Sequence, residues 1–485
     1  MASTARKDRC HQVLLLHETL VQIFWHCSHP TLAAAAVVCW AWSEPVLEIL
    51  WEEVWLGDFL KLLGGVIWAD SSVRSDKRYA EKNIDRLILY GSWIKMAHLS
   101  DRLHDTFVDK LCTAITYLSR PLLPQLRDLK IHYYCNAPKE TDMSHPLIFA
   151  GPMLRKLSLT STYGKTTTAF HTQLPTLSPF LEELVLSIDV AVETSVFGVA
   201  EMLAHLPALR LVDIRANALG HNIDAIISTL ASHQHLEELR IWNMQLVSSY
   251  SVPAPFRGFA SLRRLSSTWC RGISSFLMGL SPTSHPTYIA VIDAFMAPYT
   301  LEEFFQAVSA FNQLECLIVQ GQKDDSGVPS VEILGPLRSC SALETLEITL
   351  EYDIPINDDD LEALVSYLPR LINIKLGRAS RRTSMGRSHL TLRALTIIAT
   401  SCPMIRFVSV NLDASRNVAL EMVYHPTLLE RIDVQGSYIE DRVAVALFLA
   451  RLPASNDLYL WHNGCRKEWE EVEEILFGFQ DARRL

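Results

Sequence analysis

A phrase of apolar positions recurs along the chain: a leucine, two variable residues, an apolar residue, one variable residue and a further apolar residue. Clear copies start at positions 126, 154, 181, 209, 236, 262, 314, 343, 371, 405 and 429. The alternation within each copy predicts a half-buried strand. The interval of 52 between positions 262 and 314 is two periods of 26, which predicts a degraded copy near Tyr288 to Ile292.

The second half of many periods changes to helical spacing. Leu301, Phe304, Phe305 and Val308 stand at i, i+3, i+4 and i+7, and the residues from Leu361 to Leu368 repeat that spacing. A period in the twenties with this phrase is typical of a leucine-rich-repeat solenoid. We therefore predict an α/β fold over residues 124–463, with a parallel inner sheet and outer helices.

The start of the chain does not keep this period. We expect a three-helix domain over 13–56, with apolar faces on Leu16 to Phe24, then on Leu32 to Trp42, then on Leu47 to Val54. Ser43-Glu44-Pro45 is predicted to separate the second helix from the third. Residues 57–123 are interpreted as a helical linker, in which a degenerate first repeat fits around 93–99 and a helix around 103–117. An apolar stripe from Trp469 to Phe479 predicts a capping helix over 464–485.

Composition and motifs narrow the classes of function. The net charge of −10 argues against nucleic-acid binding, and no apolar run approaches the ~20 residues of a membrane span. Ten cysteines without a C-x-x-C pair indicate reduced thiols, hence cytosol or nucleus. The segment from His26 to His29 lacks a second ligand pair for a metal. Nucleotide-binding, hydrolase and metalloprotease motifs are absent, so we expect no enzyme activity and no cofactor.

Three segments of the first domain resemble the F-box family. They are LHETLVQIF at 16–24, VVCWAW at 37–42 and LEILW at 47–51. His17 stands where the family usually has proline, and Trp40 stands where it usually has a basic residue. Together with the repeats, the chain is most similar to the F-box and leucine-rich-repeat families of basidiomycete fungi.

The resemblance implies a substrate-recognition adaptor of a Skp–cullin–F-box ubiquitin ligase. The first domain would bind the Skp-type adaptor and, through it, a cullin-RING ligase, while the repeats would hold a protein substrate. The adaptor contacts that it implies are Leu16, Leu20, Ile23, Phe24, Leu32, Val38, Cys39, Trp42, Leu50 and Trp51.

Two alternatives to this interpretation stay open. The three helices would serve only as an N-terminal cap if all five tryptophans between 25 and 55 were buried, although so many rings predict an exposed apolar patch. Alternatively, the chain is a repeat scaffold that has no link to a ligase. In either case the inner sheet is expected to bind a protein, and its candidate contacts are Arg215, Arg240, Trp242 and Trp269.

Overall fold

The structure is a computed structural model. It describes residues 16–61, 87–100, 122–133, 141–142, 145–161, 164–165, 168–188, 193–216, 224–242, 258–268, 272–295, 298–322, 330–351, 354–378, 388–415, 428–434, 437–452, 458–461 and 467–484. The chain divides into two compact units, residues 1–217 and residues 218–485. Each unit carries its own parallel strands and helices.

The first unit begins with three short helices and continues into parallel strands. The helices are α1 (His17–Phe24), α2 (His29–Ala35) and α3 (Trp40–Leu50). The strands are β1 (Glu53–Trp55), β2 (Met96–Ser100), β3 (Asp128–Tyr133), β4 (Thr141–Asp142), β5 (Lys156–Ser161), β6 (Gly164–Lys165), β7 (Glu183–Ile188) and β8 (Leu211–Ala216). Neighbouring strands pair in parallel in the order β1-β2-β3-β5-β7-β8, and β4 pairs with β6. The remaining helical segments are α4 (Leu56–Lys61), Thr168–Leu177, Glu193–Ala204 and the 3-10 turn His145–Phe149.

The second unit repeats the same plan. Its strands are β9 (Glu238–Trp242), β10 (Arg264–Thr268), β11 (Tyr288–Phe295), β12 (Cys316–Gln322), β13 (Thr345–Leu350), β14 (Asn373–Arg378), β15 (Phe407–Val410), β16 (Asp413–Ala414), β17 (Arg431–Asp433), β18 (Tyr438–Ile439) and β19 (Tyr459–Trp461). The parallel order runs β9-β10-β11-β12-β13-β14-β15-β17-β19, and β16 pairs with β18. Its helices are Asp224–Leu230, Ile273–Met278, Pro298–Val308, Asp358–Val365, Arg393–Ser401, Arg442–Arg451 and Lys467–Arg484, with a 3-10 helix at Val331–Ser339.

The recurring apolar phrase sets the phase of every strand that it predicts. Each of these strands starts two residues after the leading residue, which is a leucine in every copy except Ile405, as β13 does after Leu343. Leu343, Leu346 and Ile348 are buried. Leu346 lies beside its equivalents Leu317 and Ile374 on the neighbouring strands. Full burial of each such side chain contributes roughly 1.5–3 kcal/mol, so stacked repeats stabilise one another. The α/β leucine-rich-repeat prediction is confirmed.

Three irregular copies of the phrase also form strands. The degraded copy is β11, in which Ile289 and Val291 are buried and Pro286 stands at the leading position. The predicted degenerate first repeat contains β2. An additional copy, Trp51-x-x-Val54-x-Leu56, lies inside the range 13–56 and forms β1, which pairs with β2. The first strand therefore lies well before position 126, where the first copy that begins with leucine starts.

The helix boundaries near the start of the chain differ from the prediction. The second helix ends at Ala35, and the third runs from Trp40 through Pro45 to Leu50, so the predicted break at Ser43-Glu44-Pro45 is wrong. Pro45, the sixth of the eleven residues of α3, removes one backbone hydrogen bond from the helix interior, and the burial of Pro45 and Val46 offsets part of that loss. The chain breaks instead at Cys39, whose backbone is extended with φ −160° and ψ 162°.

The three-helix domain ends earlier than predicted. Val54, expected in the third helix, is the buried centre of β1. The terminal helix Lys467–Arg484 packs on the helix Arg442–Arg451, and Trp469 Nε1 donates a hydrogen bond to the Ser437 carbonyl oxygen at 2.9 Å. The helix expected over 103–117 lies outside the described residues. No helix in the described part of the chain is both long and apolar enough to cross a bilayer.

Candidate partner-binding surfaces

The three helices α1 to α3 enclose a small apolar core. It consists of Leu20, Phe24, Leu32, Ala35 and Val46, with Cys27, Ala36, Trp42, Ile49 and Leu50 packed at its margin. The Phe24 and Trp42 rings meet edge to face, with their centroids 5.3 Å apart. His17 Nε2 lies 2.9 Å from Glu48 Oε2 and so links α1 to α3. A core of this size gives limited independent stability, so contacts outside the three helices are expected to matter.

The predicted adaptor contacts divide by burial. Leu20, Phe24 and Leu32 lie inside the core, and Trp42 and Leu50 are half-buried against it. Leu20, Phe24 and Leu32 therefore hold the helices together from inside the core, whereas Trp42 and Leu50 keep part of their side chains exposed to solvent. Leu16, Ile23, Val38 and Cys39 are exposed and can contact a partner directly.

Trp51 contacts the first repeat. Its ring stacks on Tyr90, with centroids 4.9 Å apart and planes 4° apart. It also meets the buried Phe59 edge to face at 6.1 Å. Trp51 stands at the leading position of the β1 copy of the phrase, where other repeats have leucine. The structure therefore gives this predicted adaptor contact a role in joining the three helices to the strands.

Exposed apolar side chains collect on α1 and on the connection between α2 and α3. The largest exposures are 93% for Trp40, 85% for Val37 and 62% for Val38. We define the head surface as Leu16, Ile23, Trp25, Val37, Val38 and Trp40, all of which are exposed. Trp25, Val37 and Trp40 were not among the predicted contacts. The signal for them was the number of tryptophans in this short segment, which predicted that some rings would be exposed.

On the sheet, the strand residues that alternate with the buried positions form what we call the open face. In the first unit this face includes Arg215, which binds Asp213 on the same strand through two hydrogen bonds of 3.1 and 2.9 Å. The Asp213 side chain is fully buried, and its hydrogen bond raises the pKa of Arg215. The charge of Arg215 is therefore already compensated within the chain.

Arg240 and Trp242, two of the predicted contacts of the second unit, lie on β9. Arg240 Nε donates to Glu238 Oε1 at 2.7 Å, and Arg264 on the next strand approaches the same carboxylate at 3.6 Å. The Arg264 guanidinium also lies 4.4 Å from the centroid of the Tyr288 ring. Trp242 is half-buried at the end of the same strand, and Trp269 lies outside the described residues. Glu238 thus pairs with Arg240 and also lies 3.6 Å from Arg264.

Two cysteines of the repeats have strongly raised thiol pKa values. Burial raises the pKa of the Cys316 thiol to about 11 and that of Cys402 to about 12, so both thiols stay protonated at neutral pH. Within the described ranges, no group of three or more histidine, cysteine or acidic side chains is arranged to hold a metal ion.

Among protein families, curated proteins and solved structures, only solved structures align with this chain. No protein-family model matches the chain, and no curated protein matches it. The crystal structure of the yeast Rad7–Elc1 complex aligns with a TM-score of 0.37 and 15% identity, covering 79% of this chain and 88% of that chain. The leucine-rich-repeat protein LegL7 from Legionella pneumophila aligns with a TM-score of 0.31 and 12% identity, covering 61% of this chain and 91% of its own. The repeat architecture of this chain is defined by its own strand register, independently of either structure.

Proposed function

We propose that this chain is a substrate-recognition adaptor of a Skp–cullin–F-box ubiquitin ligase. The head surface binds a Skp-type adaptor, and the open face of the sheet binds a protein substrate. In this role the chain works in the cytosol or nucleus, uses no cofactor and makes or breaks no covalent bond, because other subunits transfer the ubiquitin.

The exposure of the head surface is the observation that carries the proposal. A tryptophan side chain offers roughly 150–250 Å² to a partner, and burying it contributes about 4–6 kcal/mol before the entropic cost of association. Trp40 is 93% exposed, so nearly all of that area is available. A helical unit that only capped the first strand would instead turn such residues inward.

Part of the head surface lies in the segments that resemble the F-box family, although Trp40 stands where that family usually has a basic residue. Residues 37–42, which hold its central motif, include the exposed Val37, Val38 and Trp40. The motif residue Trp42 packs on Phe24 inside the core. One short segment thus combines a residue that fixes the helices with residues that are free for contact, which supports a docking role.

Co-purification with the Skp-type adaptor encoded in the same genome tests the proposal. The full chain should retain the adaptor, and a Val38→Ser, Trp40→Glu variant should lose it with an unchanged melting temperature. Phe197→Ser is the matched control, because Phe197 is also an exposed apolar residue of the first unit, at 68% exposure. Trp42→Asp is unsuitable as the only variant, because a charge beside Phe24 would disrupt the core.

The repeat scaffold without a ligase is the competing function. The open face of the sheet supports this scaffold function, because it can bind a protein whether or not the head surface binds an adaptor. If the wild-type chain fails to retain the adaptor while other proteins bind the repeats, the ligase role is wrong and the scaffold role stands.

A further inference from the structure

Three neighbouring strands near the end of the second unit surround one arginine with aromatic rings. The register places Phe407 of β15 and Tyr459 of β19 directly on either side of Arg431 of β17. Trp461 follows two residues after Tyr459, on the same face of the sheet. The Arg431 guanidinium carbon lies 5.3 Å from the Phe407 centroid, 5.9 Å from that of Tyr459 and 4.6 Å from that of Trp461. We call these four residues the arginine cluster.

Among the described residues, no side chain forms a hydrogen bond or an ion pair with Arg431. Arg431 Nε is buried and has no hydrogen-bond partner, and no carboxylate in the described residues pairs with the guanidinium. The two acidic residues closest to Arg431 along the strand contact other side chains. Asp433 accepts a hydrogen bond from Ser409 Oγ at 3.1 Å, and Glu430 lies 3.7 Å from Arg406 Nη1.

Arg431 differs in this respect from the other arginines of the open face. Arg215 pairs with Asp213, and both Arg240 and Arg264 approach Glu238. Aromatic faces stabilise a cation electrostatically, but they do not accept the in-plane N–H groups of a guanidinium as a carboxylate does. A half-buried arginine held by rings alone therefore retains donors for an incoming anion.

The rings beside Arg431 remain accessible. Tyr459 is exposed, and Phe407, Arg431 and Trp461 are half-buried. Arginine, tyrosine and tryptophan are the residue types that dominate binding energy at protein interfaces. Here they lie together with phenylalanine on adjacent strands, which are about 4.8 Å apart. A ligand that places an apolar group on the rings can bring a carboxylate to Arg431 at the same time.

We propose that the arginine cluster is a docking site for a peptide segment that carries an acidic side chain next to an apolar one. The carboxylate accepts hydrogen bonds from the Arg431 guanidinium, and the apolar side chain packs on the Tyr459 and Trp461 rings. This inference does not depend on the adaptor role, because it concerns what the repeats bind and not what the head binds.

A selection from a random library of displayed twelve-residue peptides tests the proposal with the full chain. The wild-type protein should enrich peptides that hold aspartate or glutamate beside an aromatic or aliphatic residue. In a selected peptide, replacing the acid with its amide should weaken binding about tenfold or more, as expected for hydrogen bonds to a charged group. Arg431→Gln should abolish the preference for an acid.

Two further variants separate binding from folding. Arg406→Gln is the matched control: it removes the same charge from the adjacent strand, where the arginine is exposed and paired, and should leave the selection unchanged. Tyr459→Ser removes an exposed ring and should weaken binding without a change in melting temperature. The cluster is not an anion-binding site if the wild-type chain does not enrich acidic residues over the input library. The same conclusion follows if Arg431→Gln enriches them as strongly as the wild type does.

Discussion

Replacing Trp51 with alanine is expected to open the first repeat, because this ring connects the three-helix region to the strands. It stacks on Tyr90 with centroids 4.9 Å apart and meets Phe59 at 6.1 Å. The next residue, Glu52, accepts hydrogen bonds from the backbone amides of Lys95 and Met96, each at 2.9 Å. Loss of the ring should therefore loosen the pairing of β1 with β2.

The size of the effect follows from the burial of Trp51. Truncating a fully buried tryptophan costs about 3–5 kcal/mol, so a half-buried one costs roughly 1.5–2.5 kcal/mol. The stacked pair adds about 0.5–1 kcal/mol. A total of about 2–3.5 kcal/mol corresponds to a roughly 30- to 300-fold larger population of the open state, at one decade per 1.4 kcal/mol.

Hydrogen exchange read by mass spectrometry measures this opening directly. Peptides that cover Glu53–Trp55 and Met96–Ser100 should exchange faster in Trp51→Ala, while strands of the second unit keep their protection. Trp40→Ala is the matched control, because that ring is exposed and should leave exchange unchanged. If Trp51→Ala leaves exchange at Met96–Ser100 unaltered yet weakens adaptor binding, Trp51 is a partner contact and its assignment to the first repeat is wrong.

Three further substitutions probe the repeats. In Gly198→Ala the new Cβ would lie 2.1 Å from His171 Nδ1, so we expect about 1–3 kcal/mol of destabilisation by chemical denaturation, whereas Gly478→Ala meets nothing within 4 Å and should be neutral or stabilising. Burial lowers the pKa of His171 below its ordinary 6.5. As the pH drops, the unfolded chain therefore binds the proton before the folded chain does. The free energy of unfolding should then fall between pH 6.5 and the folded-state pKa. His171→Gln should remove that part of the pH dependence in melting curves recorded between pH 7 and pH 5. Leu364→Asp places a charge at a buried position and should abolish the circular-dichroism helix signal of several neighbouring repeats at once, and a loss limited to one helix would contradict cooperative stacking.

The phase of the strands could be predicted from sequence because stacking requires the same apolar positions in every repeat. The requirement for apolar residues at the stacked positions also predicts imperfect copies, since Ile289 and Val291 occupy the buried positions of β11 without a leading leucine. It missed β1 because a tryptophan stands at its leading position and the same residue completes the F-box-like segment at 47–51. Local pattern alone does not decide which neighbour such a ring will pack against.

The helix break near Pro45 shows a second limit of sequence reasoning. Proline ends a helix when the lost hydrogen bond and the steric clash are not compensated, but here Pro45 lies in the middle of α3 and is buried with Val46. That compensation comes from residues more than twenty positions away on α1, such as Leu20, and is not visible in the local sequence.

The candidate surfaces were only partly predictable. Apolar spacing does not distinguish the core residue Phe24 from the exposed Val38, because both occupy motif positions and burial depends on how the helices pack. The arginine cluster had a readable signal, since Phe407 and Arg431 stand two residues after Ile405 and Leu429, the leading residues of consecutive copies of the phrase. The sequence could not show that Asp433 and Glu430 contact other side chains and not Arg431, because that depends on side-chain positions.

The affinity of the purified full chain for the Skp-type adaptor of the same genome, measured by isothermal titration calorimetry, tests the central claim most directly. We predict a dissociation constant of about 1 μM or lower for the wild type and at least a tenfold increase for Trp40→Glu, which is about 1.4 kcal/mol. Phe197→Ser should bind as the wild type does. No detectable binding by the folded wild-type chain, or equal binding by Trp40→Glu, would contradict the assignment of the head surface as the adaptor site.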